Sequence, residues 1–123
     1  MSFVHTERVR FRDLDSLGHM NNAVYATLLE QARIAFLSRF DAQVTNMILA
    51  RLEVDFRAQV SLGDVVEIEV APVRVGTKSF ELEYTMRVGA NVVAEARTVL
   101  VAYDYEDERP VEVPDAWREA LAA

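Results

Sequence analysis

The chain has no cysteine. That absence removes disulfides, thiolate metal sites and a cysteine nucleophile together, and it fits a reducing compartment. Cations are in deficit: 13 Lys and Arg against 20 Asp and Glu leave a formal net charge of −7. Broad binding to a phosphate backbone needs the opposite balance, although one local basic pocket is compatible with it. Long apolar runs are missing too. No stretch nears the roughly 20 apolar residues of a membrane span. Met1 to Arg10 carries His5, Glu7, Arg8 and Arg10 where a signal peptide would be apolar. A cytoplasmic location is therefore expected. Repeats, low-complexity tracts and Pro/Gly/Ser linkers are absent, so residues 1–123 read as one domain. No Gly-x-Ser-x-Gly elbow, P-loop or dinucleotide glycine pattern occurs. With two His and no Cys, a zinc site would rest mostly on carboxylates. We expect neither a metal nor a bound cofactor.

What is present is ordinary globular composition, 51% hydrophobic and 27% charged over 123 residues. That is enough to bury a core. Val4 to Phe11 alternates loosely and predicts a first strand. The segment from Arg12 to Asn22 is rich in Asp, Asn and Gly, which favour loops and helix starts, and Asn21 or Asn22 can cap the next helix. Ala23 to Phe40 predicts one long helix without Gly or Pro. Val24, Tyr25, Leu28, Leu29, Ala32, Ala35 and Phe36 share its apolar arc. Thr27, Glu30, Gln31, Arg33 and Ser38 fall opposite, interrupted by Ala26, Ile34 and Leu37. So much apolar surface predicts wide burial.

After a loop at Asp41 to Asn46, strands are expected at Met47–Arg57, Val65–Val75, Ser79–Val88 and Val92–Tyr105, in hairpin succession. The third of these has the clearest period of two. Gly63-Asp64 and Gly89-Ala90-Asn91 mark turns. Asp104 to Arg109 should be exposed, and Pro114 should open a short helix over Asp115–Leu121. One long helix beside antiparallel strands gives an α+β domain.

The run Arg12-Asp13-Leu14-Asp15-Ser16-Leu17-Gly18-His19-Met20-Asn21-Asn22, followed by Tyr25, Leu29-Glu30 and Arg33, resembles the 4-hydroxybenzoyl-CoA thioesterase family. The likeness continues through Val60 to Asp64, Gly76-Thr77-Lys78-Ser79-Phe80 and Arg109-Pro110 with Pro114, spanning nearly the whole chain. It implies a hotdog fold, in which a five-stranded antiparallel sheet wraps one long helix. It also implies hydrolysis of acyl thioesters, of coenzyme A or of acyl carrier protein. In benzoyl-type members the second Asp of Asp-x-Asp is catalytic, and here that residue is Asp15. The stretch is similar as well to plant acyl-carrier-protein thioesterases, which use an Asp, an Asn and a His at alternate positions. Here Asp15 and His19 match while Leu17 stands at the Asn position.

Thioester cleavage needs a nucleophile or an activated water, and donors for the oxyanion. Asp15 supplies the first. The helix start at Asn22 supplies the second, because its N–H groups lack internal partners. His19 can polarise the carbonyl or orient Asp15. Glu30 is a further catalytic candidate by family likeness, or else an ion-pair partner of Arg33. The resemblance puts Lys78 and Ser79 near the coenzyme A phosphates, with Arg57 and Arg74 as weaker cations. Each residue has a plainer role open to it. Asp15 can be a turn former, which is the reading for Asp13; His19 can be a backbone-bonded helix-start residue; and Lys78 a solvated turn lysine. Family likeness also implies assembly, edge to edge, into a homodimer or homotetramer. An acyl-carrier-protein substrate, a non-catalytic acyl-thioester-binding module and a dehydratase are the competing readings. The acidic surface disfavours the first, the Asp15–Gly18–His19–Asn22 cluster the second, and the lack of the usual His arrangement the third.

Overall fold

Alternating apolar and charged residues produce the sheet, and the alternation is cleanest where one face is covered. In the computed structural model, which describes residues 3–39 and 46–122, Phe80, Leu82, Tyr84 and Met86 are buried while Glu83 is exposed. The elements run β1 (Phe3–Arg8), a 3-10 turn (Phe11–Asp13), α1 (Asn22–Leu37), β2 (Met47–Phe56), β3 (Val65–Val75), β4 (Ser79–Val88), β5 (Asn91–Asp104), β6 (Arg109–Pro110) and α2 (Asp115–Ala122). The strands form one antiparallel sheet in the order β1-β3-β4-β5-β2, with β6 pairing the end of β5. α1 lies across β1 and β3, and its buried side joins the inner sheet face in one hydrophobic cluster. This is the expected hotdog architecture.

Hairpin succession holds from β3 to β5 but not from β2 to β3. β2 pairs β5 at the far edge of the sheet, whereas β3 lies beside β1. The connection between them is too well tied elsewhere to make a tight turn. Val60 O accepts from Met20 N at 2.8 Å, and Gly63 N donates to Val9 O at 3.1 Å.

Three single-residue bulges curve the sheet around the helix. Ala50 in β2, Val73 in β3 and Val93 in β5 have no paired partner in the register. The β3 bulge directly follows Pro72, a residue that cannot donate to the ladder.

The ends of β1 and α1 and the buried face of the helix differ from what the sequence predicts. β1 stops at Arg8, not Phe11, because Arg10 N donates to the Asp13 carboxylate at 2.8 Å and pulls the chain into the 3-10 turn. α1 ends at Leu37, where the Ser38 hydroxyl donates to Ile34 O at 2.7 Å; Phe40, the expected end of the helix, lies outside the described residues. The buried face of α1 is also rotated toward Arg33 and Leu37, both buried, while Ile34 is exposed. Burying a guanidinium requires partners. Arg33 pairs with Glu30 at 3.7 Å and lies near the Tyr84 hydroxyl, whose own hydrogen bond is to Thr98 Oγ1 at 2.7 Å.

Candidate active site

The loop before α1 is shaped by Asp15. One carboxylate oxygen, Oδ1, accepts from Leu17 N at 2.8 Å and His19 N at 3.2 Å. The backbone closes the same turn, with Asp15 N donating to His19 O at 2.8 Å and Gly18 N donating to Asp15 O at 3.2 Å. Gly18 has φ +83°, a left-handed conformation that side chains with a Cβ rarely adopt. Oδ2 of Asp15 has no hydrogen-bond partner among the described residues. The backbone bonds from His19 and Leu17 hold the carboxyl below the usual carboxylate range. Asp15 is thus exposed, ionised and fixed by one oxygen.

Asn21 caps α1, its side chain accepting from Ala23 N at 2.9 Å, while Val24 N donates to Asn21 O at 2.9 Å. Asn22 is the first helical residue, and its N–H has no acceptor among the described residues. It lies on the same groove as Asp15. That groove encloses about 290 Å3 and is walled by Leu17, His19, Met20, Tyr25, Phe56 and Arg57. The Tyr25 hydroxyl donates to Ala58 O at 3.2 Å, and its ring meets Phe56 edge-on with centroids 4.9 Å apart. Burial raises the Tyr25 pKa. The β5 bulge holds the opposite wall, because Val93 O accepts from both Arg57 N at 2.8 Å and Ala58 N at 3.1 Å.

The structure therefore brings Asp15, His19, Asn22 and Arg57 to one groove. His19 meets Asp15 through its backbone and is one of the groove's lining residues. Arg57 also approaches Glu95 at 3.7 Å. Glu30 lies elsewhere, about 12 Å along α1 from Asn22 at the helical rise. It pairs with Arg33 at 3.7 Å and lines a separate hollow with Ala26, Leu49 and Leu52. Ser79 opens β4 at the far end of the sheet, and Lys78 ends the turn just before it. Met86 lies across from Ala94, itself across from Phe56, which places Ser79 about 23 Å along the strand from the groove.

Met20, Phe56 and Gln59 also line the groove, and nothing in their sequence pattern marks them for it. Tyr25 is legible in the sequence only as part of the apolar arc. A phenol on a buried helix face needs an acceptor, and that is its available signal. No group of three His, Cys, Asp or Glu arranged to hold a metal occurs among the described residues. No helix among them is long and apolar enough to cross a membrane.

The profile of the Thioesterase-like superfamily matches residues 9–121. A 1,4-dihydroxy-2-naphthoyl-CoA hydrolase from Nostoc punctiforme is 30% identical, over 94% of this chain and 83% of its own. A thioesterase from Thermus thermophilus, solved with coenzyme A and Zn, is 36% identical with a TM-score of 0.89, covering 96% of this chain and 90% of that one. A 1,4-dihydroxy-2-naphthoyl-CoA thioesterase from Synechocystis, at 19% identity and a TM-score of 0.90 over 99% of this chain and 96% of that one, shares the fold.

Proposed function

The chain belongs to the Thioesterase-like superfamily, and on that footing we propose that it is a cytoplasmic enzyme that hydrolyses acyl-coenzyme A to free acid and coenzyme A. One observation carries the reading: a carboxylate pinned through Oδ1, with Oδ2 left open, beside the unengaged N–H that begins a 16-residue helix. Asp15 acts as the nucleophile. A carboxyl held at low pKa is a poor proton acceptor but stays anionic. Oδ2 adds to the thioester carbonyl carbon while Asn22 N–H receives the oxyanion. The C–S bond then breaks, its electron pair leaves on the coenzyme A sulfur, and that thiolate takes a proton from water. Water hydrolyses the resulting mixed anhydride and regenerates Asp15. The His19 ring, on the same groove, orients the carbonyl.

The groove wall favours a flat acyl group, since Tyr25 and Phe56 present an aromatic corner. The naphthoyl-CoA hydrolase relative, and the likeness to 4-hydroxybenzoyl-CoA thioesterases, point the same way. Lys78 and Ser79 join this site through a second copy of the chain. β2 is a ten-residue edge strand on which Leu49, Leu52 and Phe56 are exposed beside the charged Arg51, Glu53 and Asp55, whereas the other edge, β1, has only six residues. A long edge with several exposed apolar side chains invites pairing. Antiparallel pairing of two β2 strands reverses one copy, so that the Lys78 end of one sheet turns toward the Asp15 end of the other. Arg57 and the second copy's Lys78 then serve the coenzyme A phosphates.

A thiol-release assay over aliphatic, benzoyl and naphthoyl coenzyme A thioesters tests the proposal, and this chain adds no thiol of its own. Turnover of the aromatic members, lost in Asp15→Asn, is the expected result. Near-normal turnover in Asp15→Asn sinks the nucleophile assignment. Inactivity on the whole panel would instead favour an acyl-carrier-protein substrate or a binding module.

A further inference from the structure

Most arginines of this acidic chain face a carboxylate, as Arg51 faces Glu53 and Arg87 faces Glu69. Two cations near the β3–β4 turn do not. Lys78, the only lysine in the sequence, has no ion pair among the described residues. Arg118, on α2, is turned onto backbone: its Nη2 donates to Gly76 O at 3.0 Å and Thr77 O at 3.4 Å. The rest of the turn is tied as closely. Thr77 O also accepts from Val113 N at 2.9 Å, Lys78 O from Ala102 N at 2.9 Å, and Ser79 O from Gly76 N at 2.7 Å. Every carbonyl from Gly76 to Ser79 is therefore engaged, two of them by the C-terminal segment.

α2 is itself anchored close by, its buried Trp117 meeting Phe80 edge-on at 6.2 Å. Arg74 completes the setting, with its guanidinium 3.8 Å from where a Cβ on Gly76 would sit. Three cations thus meet at one turn of a chain whose net charge is −7, and of the three Arg74 alone is paired with a carboxylate among the described residues, Glu81 at 3.0 Å.

We infer that Arg118 is a positioning residue for coenzyme A, acting through the Gly76–Lys78 turn without touching the substrate. The inference rests on the proposed reading that Lys78 meets the coenzyme A phosphates. A carbonyl that is free to rotate can turn its negative end toward a phosphate. Carbonyls held by Arg118 and Val113 cannot. Nη2 of Arg118 carries two N–H groups and so reaches both successive carbonyls from one nitrogen. A turn ordered beforehand also spares the bound state the cost of ordering it.

The test is a double-mutant cycle read in the intact protein by the KM of the most active acyl-CoA of the panel and by calorimetry with coenzyme A alone. Lys78→Ala should raise KM about tenfold, the loss of one charge-assisted contact. Arg118→Gln should raise it about threefold and leave kcat within about twofold, and it should add nothing on the Lys78→Ala background. Calorimetric Kd values should show the same pattern. If Lys78→Ala leaves both KM and Kd unchanged, the phosphate reading of the turn fails and Arg118 has nothing to position. If Lys78→Ala raises KM but Arg118→Gln does not, only the positioning inference is overturned. Full additivity in the double variant overturns it equally. Should Arg118→Gln melt the protein, Arg118→Lys keeps one donor and carries the same cycle; it should restore the fold and show a smaller, still non-additive rise in KM.

Discussion

On the proposed reading Asp15 is both a turn former and a chemical group. Its Oδ1 holds the loop, and its Oδ2 is free for the groove. In the sequence these are rival roles for one Asp, because a string of residues cannot divide a carboxylate into two oxygens. The same limit hides the partition between Asn21 and Asn22, of which the first is the cap and the second the groove residue. The backbone bonds of His19 and Leu17 on Asp15 carry a pH prediction. A depressed pKa keeps the carboxylate ionised as pH falls, so the acid limb of kcat/KM should lie below the ordinary carboxylate range. A pH–rate profile showing an Asp15-dependent loss beginning near neutrality would contradict it. Asp13 differs. Burial pushes its pKa up, but the bonds from Arg10 N and its guanidinium more than offset that, and the net shift is downward. The stability this confers is present above the unfolded pKa and is lost as pH falls through the folded one. Asp13→Asn should cost about 1 kcal/mol at neutral pH, read by urea denaturation, and should flatten the acid end of the stability profile.

Among elements, strands are more legible than their order. β3 and β4 match the expected residues end to end, because a two-residue period with charge on one side permits few other readings. What the pattern cannot reveal is that β2 skips β3, a choice made by bonds between distant loops. Nor can it reveal the burial of Arg33, which comes to lie near the Tyr84 hydroxyl of β4. α1 starts on a single side-chain cap, so Asn21→Ala should destabilise the fold by about 1 kcal/mol. It should also lower kcat, because the helix start would fray next to the groove. Thermal melts and steady-state kinetics on the one variant check both effects. A loss of stability with unaltered kcat would separate the cap from the chemistry. At the core, Leu29 is fully buried, and Leu29→Ala should cost about 2–5 kcal/mol in the same denaturation assay.

At the scale of the whole molecule, the outer sheet face and the β2 edge contrast sharply. Outward residues form cross-strand pairs such as Arg87–Glu69 and Arg74–Glu81, which suit water. Around Leu49 and Leu52 exposed apolar side chains meet Ala26 of α1, with the Glu30–Arg33 pair at the margin of the same hollow. Leu52→Arg should therefore convert an assembled protein to monomers in sedimentation velocity. On the proposed reading activity should fall with it, since Asp15 and Lys78 are too far apart within one chain to serve one substrate. A Leu52→Arg monomer with full acyl-CoA turnover would mean that each chain carries its whole site.

The bulge at Ala50 also makes β2 unequal in its tolerance of lost residues. Leu49 pairs with Leu100 and Arg51 with its neighbour Val99, so Ala50 alone lies outside the ladder. A codon deletion there would leave every other side chain of β2 on its present face and yield a straighter strand. Deleting Glu53, three positions on, would turn one flank of the strand inside out and bring charge to the helix side. Gene variants lacking one β2 codon should thus survive selection at position 50 and be purged at position 53.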